Sequence, residues 1–252
     1  MIDLQSLAII AAALGAGALV KGATGMGLPL VALPALAATF GVAHSIAIMC
    51  VPLVVTNAWQ VWRYRQARAG GDMAFLTPML VMGAIGVAAG TWLLTTISED
   101  AMALGLAALV LAYVALRLFS PSFRLTTVTG RRAAPFVGLA AGTLQGSTGL
   151  SAPVGVTFIH AMRFDREAHV FAVSTMFLLF ALAQTGALAA AGILTGPRFL
   201  EGVFALLPVV LLMPLGQKLA TLLSREAFDR IILAMLCVMA AFIIFGALDG
   251  RG

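Results

Sequence analysis

The sequence predicts an all-α polytopic membrane protein made of two inverted repeats, and three observations support this fold class. First, 62% of the 252 residues are hydrophobic and 10% are charged, and the mean hydropathy is +1.06. A soluble domain carries about 25% charged residues, so this chain could not cover its surface in water. Second, long charge-free stretches follow one another along the whole chain. Third, a short motif occurs twice, as KGATGMGLP at residues 21–29 and as QGSTGLSAP at 145–153.

The charge-free stretches predict five hydrophobic segments in each half of the chain. They lie at residues 4–21, 26–41, 45–62, 73–95 and 100–118, and then at 133–145, 150–162, 168–193, 200–222 and 227–248. A membrane span needs about 20 apolar residues, so the run 22–62 must fold back, and Gly41 to His44 is the expected turn. We therefore expect eight to ten membrane helices.

The two halves match at ordered positions beyond the motif. At one constant shift, five residues of the first half match identical residues of the second half. They are Gly22, Thr24, Gly25, Pro29 and Gln60, which match Gly146, Thr148, Gly149, Pro153 and Gln184. At a slightly larger shift, Pro78 and Gly86 meet Pro208 and Gly216. This series predicts a duplication, with a first transmembrane repeat at 1–120, a basic cytoplasmic linker at 121–132 and a second transmembrane repeat at 133–252.

Each repeat is expected to begin with a helix hairpin broken at its glycine motif. Arginines flank the run 133–162 at both ends, as in a hairpin that enters and returns on one membrane face. One side then holds the loop charges apart from Arg198 and Arg251, an asymmetry typical of cytoplasmic loops. Arms of about 13 residues reach about 20 Å, less than a hydrocarbon core of about 30 Å. The second hairpin is therefore expected to be re-entrant, and the first either re-entrant or two full spans. Both arrangements make the repeats inverted.

The motifs carry a family resemblance. GATGMGLP, recurring after a basic linker as GTLQGSTGLSAP in an apolar chain of this length, resembles the TauE/SafE family of membrane transporters, also called the sulfite exporter family. The resemblance covers essentially the whole chain. It implies transport of small anions such as sulfite, sulfoacetate or related organosulfur and carboxylate anions across the bacterial inner membrane. Many members have denser glycine runs than this chain, in which Ala23, Met26, Leu150 and Ser151 interrupt them.

The expected substrate site lies near the midplane between the two glycine motifs and operates by alternating access. Paired helix breaks in two halves indicate a transporter's binding site, and half-helix N-termini attract anions. The candidate substrate-binding residues are Lys21, Gly22, Thr24, Gly25, Gly27, Asn57, Gln60, Gln145, Gly146, Ser147, Thr148, Gly149, Ser151 and Gln184. The alternative is that the small residues only allow close helix packing.

Lys21 is the basic residue directly before a glycine motif, and a charge at membrane depth is a functional candidate. Its alternative role is to snorkel to the membrane surface. Its repeat partner Gln145 is neutral, so the expected site is asymmetric. Gln60 and Gln184 either line one cavity or form interhelical hydrogen bonds.

His160 and His169 are the candidates for a proton-linked role, with interfacial placement as the alternative. We expect no Asp or Glu within a span, which argues against coupling through an acid relay.

Other classes of protein fit less well. The basic loops indicate membrane topology rather than nucleic-acid binding, and no metal-ligand spacing or cofactor motif is present. The expected partners are a small anion and the lipid bilayer, with a homodimer left open. An anion channel is a second hypothesis. A third is an intramembrane hydrolase that uses Ser147 or Ser151 with His160, but the first motif copy lacks the serines. We therefore predict that the protein is not an enzyme.

Overall fold

The computed structural model describes residues 4–70, 73–119, 124–222 and 225–248, and within them the chain is helical with no strand. The first half contains α1 (Leu4–Thr24), α2 (Leu28–Phe40), α3 (Val42–Arg63), a short 3-10 turn (Arg65–Gly70), α4 (Leu76–Thr96) and α5 (Glu99–Phe119). The second half contains α6 (Thr127–Thr148), α7 (Ala152–Ala161), α8 (Arg166–Ala190), α9 (Gly196–Leu222) and α10 (Arg225–Leu248). The predicted all-α fold with five segments in each half is confirmed.

Local sequence signals explain several helix boundaries. Gly41 has a φ of 77° and separates α2 from α3, at the turn predicted for the run 22–62. Asp165 caps α8, because its Oδ1 accepts a hydrogen bond of 2.8 Å from the Ala168 amide. Short polar caps of this kind satisfy amides that the first helical turn leaves without a partner.

The predicted first arm of the second hairpin was too short. α6 begins at Thr127 and has 22 residues, rather than starting at residue 133. Thr126 caps this earlier start, since its Oγ1 accepts a hydrogen bond from the Thr129 amide. Arg131 and Arg132 are exposed in the first turns of the helix, so the helix begins before these charges and not after them. At 1.5 Å per residue, this arm reaches about 33 Å.

The described part of the chain contains six helices that are long and apolar enough to cross a membrane, namely α1, α3, α4, α5, α8 and α9. Large apolar side chains also face outward. On α9, Leu207, Leu211 and Leu215 form an exposed stripe at helical spacing. Such a stripe is favourable in lipid and costly in water. These features, together with the composition, make this a multi-pass membrane protein.

The helices group into two compact units, and each unit draws helices from both halves of the chain. One contains α1, α2, the first part of α3 up to Pro52, most of α5, α9 and α10; we call it the α1–α9 unit. The other contains the rest of α3, α4, α6, α7 and α8; we call it the α4–α6 unit. The inverted relation of the two sequence repeats stays a prediction.

Glycines bring the backbones of α4 and α6 into direct contact. A methyl group on Gly142 would lie 2.0 Å from the Gly83 carbonyl oxygen, and one on Gly138 would lie 2.1 Å from that of Met79. From the opposite side, a methyl group on Gly90 would lie 2.1 Å from the Thr143 carbonyl oxygen. Small residues spaced in this way allow close helix crossing in membranes, and the approach suits weak Cα–H···O contacts.

Glycines also bring the backbones of α1 and α9 into direct contact. A methyl group on Gly22 would lie 2.0 Å from the Met213 carbonyl oxygen, and one on Gly216 would lie 2.1 Å from that of Leu19. In each unit, therefore, the first helix of one half packs against the fourth helix of the other half. Gly22 and Gly146 occupy matching positions in the sequence repeat. Each makes such a contact, Gly22 with Met213 and Gly146 with Val87.

Candidate functional site

The first glycine motif forms a sharp helix break. α1 continues through Thr24, and then Gly25 and Gly27 adopt φ values of 79° and 106°, a region that glycine enters readily. The Gly25 amide donates a 2.7 Å hydrogen bond to the Lys21 carbonyl. The Thr24 hydroxyl donates to the Val20 carbonyl at 2.9 Å and accepts from the Met26 amide at 3.2 Å.

The second motif repeats this local structure. Gly149 has a φ of 73°, and its amide donates a 2.8 Å hydrogen bond to the Gln145 carbonyl. The Thr148 hydroxyl donates to the Leu144 carbonyl at 2.8 Å and accepts from the Leu150 amide at 3.3 Å. The matched residues of the two motifs therefore make matched hydrogen bonds.

A short helix follows each break. α2 has 13 residues and α7 has 10, so they reach about 20 Å and about 15 Å, less than a hydrocarbon core of about 30 Å. Both carry a proline in the first turn. The N-cap residue of α2 is Gly27, which has no side chain, and the Ser151 side chain does not bond to the first turn of α7. Their N-termini present amide groups and a partial positive charge, which favour anions.

Three of the predicted site residues form one buried network at the second break. The Gln145 side-chain amide donates a 2.8 Å hydrogen bond to Oε1 of Gln184, whose own amide donates to the Gln145 carbonyl at 2.6 Å. The Ser151 hydroxyl donates to Oε1 of Gln145 at 2.8 Å. The network joins the last turn of α6, the start of α7 and the middle of α8, and it holds the break with neutral groups.

Lys21 lies in the last turn of α1 and is 1% exposed. A lysine that snorkels would bring its ammonium group to the protein surface, so burial contradicts that alternative. A buried cation at membrane depth is a candidate for binding an anion. At the matching position of the second motif, the buried residue is the neutral Gln145.

The predicted substrate-binding residues are distributed over the two units. Lys21, Gly22, Thr24, Gly25 and Gly27 belong to the α1–α9 unit, and the others belong to the α4–α6 unit.

Within the α4–α6 unit, the buried polar residues of α3 do not take part in the Gln145–Gln184 network and make other hydrogen bonds. Gln60 accepts a 3.1 Å hydrogen bond from the Ser174 hydroxyl, and the buried Asn57 donates to the Leu53 carbonyl at 2.8 Å. Near the second break, Ser147 donates to the Thr143 carbonyl at 2.8 Å.

The two candidate histidines contact each other. The rings of His160, at the end of α7, and His169, near the start of α8, lie 5.6 Å apart in an edge-to-face arrangement. His160 is exposed.

Sequence reasoning missed a buried hydroxyl beside the second motif. Thr91, on α4, is 3% exposed, and its hydroxyl is the one buried side-chain oxygen in the described residues with no hydrogen-bond partner. Threonines in these helices usually donate to the carbonyl four residues earlier, as Thr143 and Thr185 do. For Thr91 that carbonyl belongs to Val87, against which Gly146 packs. A hydrophobic pattern gives no signal for this, because it depends on which helix lies opposite.

The expectation that no carboxylate lies within a span was wrong. Glu201 lies inside α9, is 8% exposed, and its Oε2 lies 2.5 Å from Nε2 of His44 on α3. The partner is distant in the sequence, so reading the α9 segment alone could not show how the acid is accommodated. A pairing partner reduces the cost of a buried carboxylate in an apolar helix.

Comparison with known proteins bears on identity. Among curated proteins and among solved structures, no match to the chain is found. The family model described as "Sulfite exporter TauE/SafE" matches residues 9–243, nearly the whole chain. This match agrees with the two glycine-broken hairpins and the apolar helices described above, and the chain therefore belongs to the TauE/SafE sulfite exporter family of membrane transporters.

Proposed function

We propose that this protein carries small anions across the bacterial inner membrane by alternating access, with sulfite, sulfoacetate and related organosulfur or carboxylate anions as substrates. The observation that carries the proposal is the helix break that occurs twice with the same backbone structure. In each copy a left-handed glycine ends one helix, and a short half-helix with a proline in its first turn follows. Discontinuous helices of this kind form substrate sites in transporters.

The chemistry of the breaks favours oxyanions. Sulfite and sulfonate groups present several oxygens that accept hydrogen bonds, and helix N-termini offer amide donors together with a favourable dipole. Hydrogen bonds to an ionised acceptor are stronger than bonds between neutral groups. The backbone amides at the N-termini of α2 and α7 supply donors suited to such a group.

Lys21 would make the transporter selective for anions. It is a buried cation in the last turn before the first break, and it would offset the charge of a bound anion. Since the neutral Gln145 occupies the matching position, we propose that the first break attracts an anionic group more strongly than the second break, which offers neutral hydrogen-bond donors.

The test is counterflow of radiolabelled sulfoacetate in sealed proteoliposomes that contain the purified protein. A carrier with alternating access exchanges external label for internal unlabelled substrate, so label accumulates transiently above equilibrium. We expect this accumulation, and we expect competition by sulfite but not by a neutral analogue. Flux without counterflow would favour the channel, and no flux with any sulfur or carboxylate anion would reject the proposed substrates.

The hydrogen bonds of the serines bear on the hydrolase alternative. Ser147 and Ser151 donate their protons to the Thr143 carbonyl and to Gln145 Oε1, whereas a nucleophilic serine donates to a base. Cleavage of a peptide or ester by the purified protein that disappears in Ser147→Ala would contradict our proposal.

A further inference from the structure

One ion pair lies outside the glycine motifs and joins the two halves of the chain. His44 is the third residue of α3 and Glu201 is the sixth of α9, and Nε2 of the imidazole lies 2.5 Å from Oε2 of the carboxylate. Both residues belong to the α1–α9 unit. The turn before His44 is well defined, because Ser45 donates a 2.6 Å hydrogen bond to the Gly41 carbonyl and the Phe40 ring centroid lies 5.2 Å from that of the imidazole.

The burial of the pair is unequal. The side chain of Glu201 is 10% exposed and that of His44 is 23% exposed. The segment of α9 that includes Glu201 is the most hydropathic of the six candidate spans. A carboxylate there is costly unless it is paired. With Nε2 bonded to Glu201, the ring can exchange a further proton with water only through its other nitrogen, Nδ1.

The charged groups around the pair are mostly acidic. The Glu99 carboxylate, at the start of α5, lies directly against Gly41 in the turn before His44, and the exposed Asp100 follows it. On α9, Arg198 precedes Glu201 by one turn and donates to the Ile193 carbonyl at 2.8 Å. With His44 neutral, the carboxylates of Glu201 and Glu99 outnumber the guanidinium of Arg198, and a proton on His44 reduces this excess of negative charge.

We infer that the His44–Glu201 pair is a proton-binding site whose loading and unloading are coupled to anion transport, an inference that rests on the proposed transport function. In the unloaded form, a neutral imidazole donates its Nε2–H to the Glu201 carboxylate. A proton from water then adds to Nδ1, an N–H bond forms, and the pair changes from a net charge of −1 to a neutral imidazolium–carboxylate pair. The same proton returns to water when Nδ1 loses it.

A second pair of ring groups gives a contrast that favours a proton at His44–Glu201. His160 and His169 bring two imidazoles together at 5.6 Å, and two protonated rings at that distance repel each other. An imidazole beside a carboxylate holds a proton without that repulsion.

The experiment measures proton movement and sulfoacetate movement in the same proteoliposomes. Sulfoacetate is chosen because its sulfonate and carboxylate groups are both ionised between about pH 6 and about pH 8, so pH does not change its charge. A trapped pH dye reports protons. We expect His44→Gln and Glu201→Gln to abolish the proton movement that sulfoacetate evokes while counterflow of labelled sulfoacetate continues. Asp100→Asn also removes one carboxylate at the start of α5, and it should keep wild-type proton movement.

Other outcomes overturn the inference in distinguishable ways. Proton movement that persists in both His44→Gln and Glu201→Gln contradicts it. Loss of proton movement in the double variant His160→Gln/His169→Gln, with His44→Gln unaffected, assigns the proton to the other pair. Sulfoacetate counterflow with no proton movement in the wild type rejects the coupling and leaves the proposed function intact.

A second readout needs no substrate. Infrared difference spectra of the purified protein, recorded as the pH is lowered, report the protonation of imidazole side chains and the carboxylates bonded to them. We expect imidazole and carboxylate bands that disappear in both His44→Gln and Glu201→Gln. Spectra identical to those of the wild type in these variants overturn the proton site even if no transported anion is found. If one glutamine variant does not fold, the other provides the comparison, and the reversed pair His44→Glu/Glu201→His, which retains an imidazole and a carboxylate, should keep the bands.

Discussion

The two glycine motifs have nearly the same backbone but different side-chain chemistry. Gly25 and Gly149 have φ values of 79° and 73°, and their amides bond to the Lys21 and Gln145 carbonyls at 2.7 and 2.8 Å. The first copy carries a buried lysine, whereas the second carries a neutral network that includes Ser151 and Gln184.

The two copies show that the backbone break and its side-chain chemistry can vary independently. The glycine and threonine that build the break occur in both copies, since the left-handed turn and its hydrogen bonds require them. The residue one turn earlier is lysine in one copy and glutamine in the other. The following predictions test this comparison, beginning with the largest effect.

The first prediction concerns the glycines that pack both motifs. In Gly22→Ala the new methyl group would lie 2.0 Å from the Met213 carbonyl oxygen, and in Gly146→Ala it would lie 2.2 Å from that of Val87. Because both obstacles are backbone atoms, each change should destabilise the protein by about 3 kcal/mol or more. Unfolding in mixed micelles measures this. Gly186→Ala is the control, since a methyl group there meets no atom within 4 Å. Wild-type stability in either motif variant would contradict the described packing.

The second prediction concerns the neutral network of the second motif. Gln184→Leu leaves the buried side-chain amide of Gln145 without its acceptor and should cost about 1–3 kcal/mol of stability. Thr185→Val is the matched control, because its hydroxyl only donates to the Ala181 carbonyl within α8. The double variant Gln145→Leu/Gln184→Leu should be less destabilised than the sum of the single changes. Additive losses would show that the two amides do not act as a pair.

The third prediction concerns the charge that distinguishes the motifs. Lys21→Gln gives the first copy the residue of the second, and sulfoacetate flux at low concentration should fall about tenfold, which corresponds to about 1.4 kcal/mol. Lys21→Arg keeps the charge and should retain more flux, while Lys218→Gln removes an exposed lysine and should leave flux unchanged. Full flux in Lys21→Gln would remove Lys21 from the site.

The fourth and smallest prediction concerns the left-handed glycines. Gly25→Ala and Gly149→Ala each place a Cβ at a positive φ, which costs about 1–2 kcal/mol, and Gly149→Asn should cost less because asparagine tolerates this region. Thermal unfolding in detergent measures both. Equal losses of stability in the two copies support a shared backbone structure, whereas a loss confined to one copy would show that only that copy needs the left-handed glycine.

Much of the fold could be predicted because its signals are local. The five segments in each half, the turn at Gly41 and both helix breaks follow from charge-free runs, glycine and proline. The start of α6 was missed because Thr126 extends the helix through two exposed arginines.

Less of the site could be predicted, because it depends on tertiary contacts. The motif residues and Gln184 were identified from the repeat. The role of Ser174 beside Gln60, the unpaired hydroxyl of Thr91 and the pairing of Glu201 with His44 depend on which helices meet. A periodic apolar pattern does not encode that choice.

The exchange of helices between the two halves also bears on biogenesis. α1 leaves the ribosome long before its partner α9, and the glycine face of α4 stays without its partner until α6 has been synthesised. Until the second half is synthesised, the glycine faces of the first-half helices therefore contact lipid or the insertion machinery instead of their partner helices. Fragments 1–120 and 133–252 produced in separate cells should be degraded, and they should accumulate only when both are synthesised in one membrane.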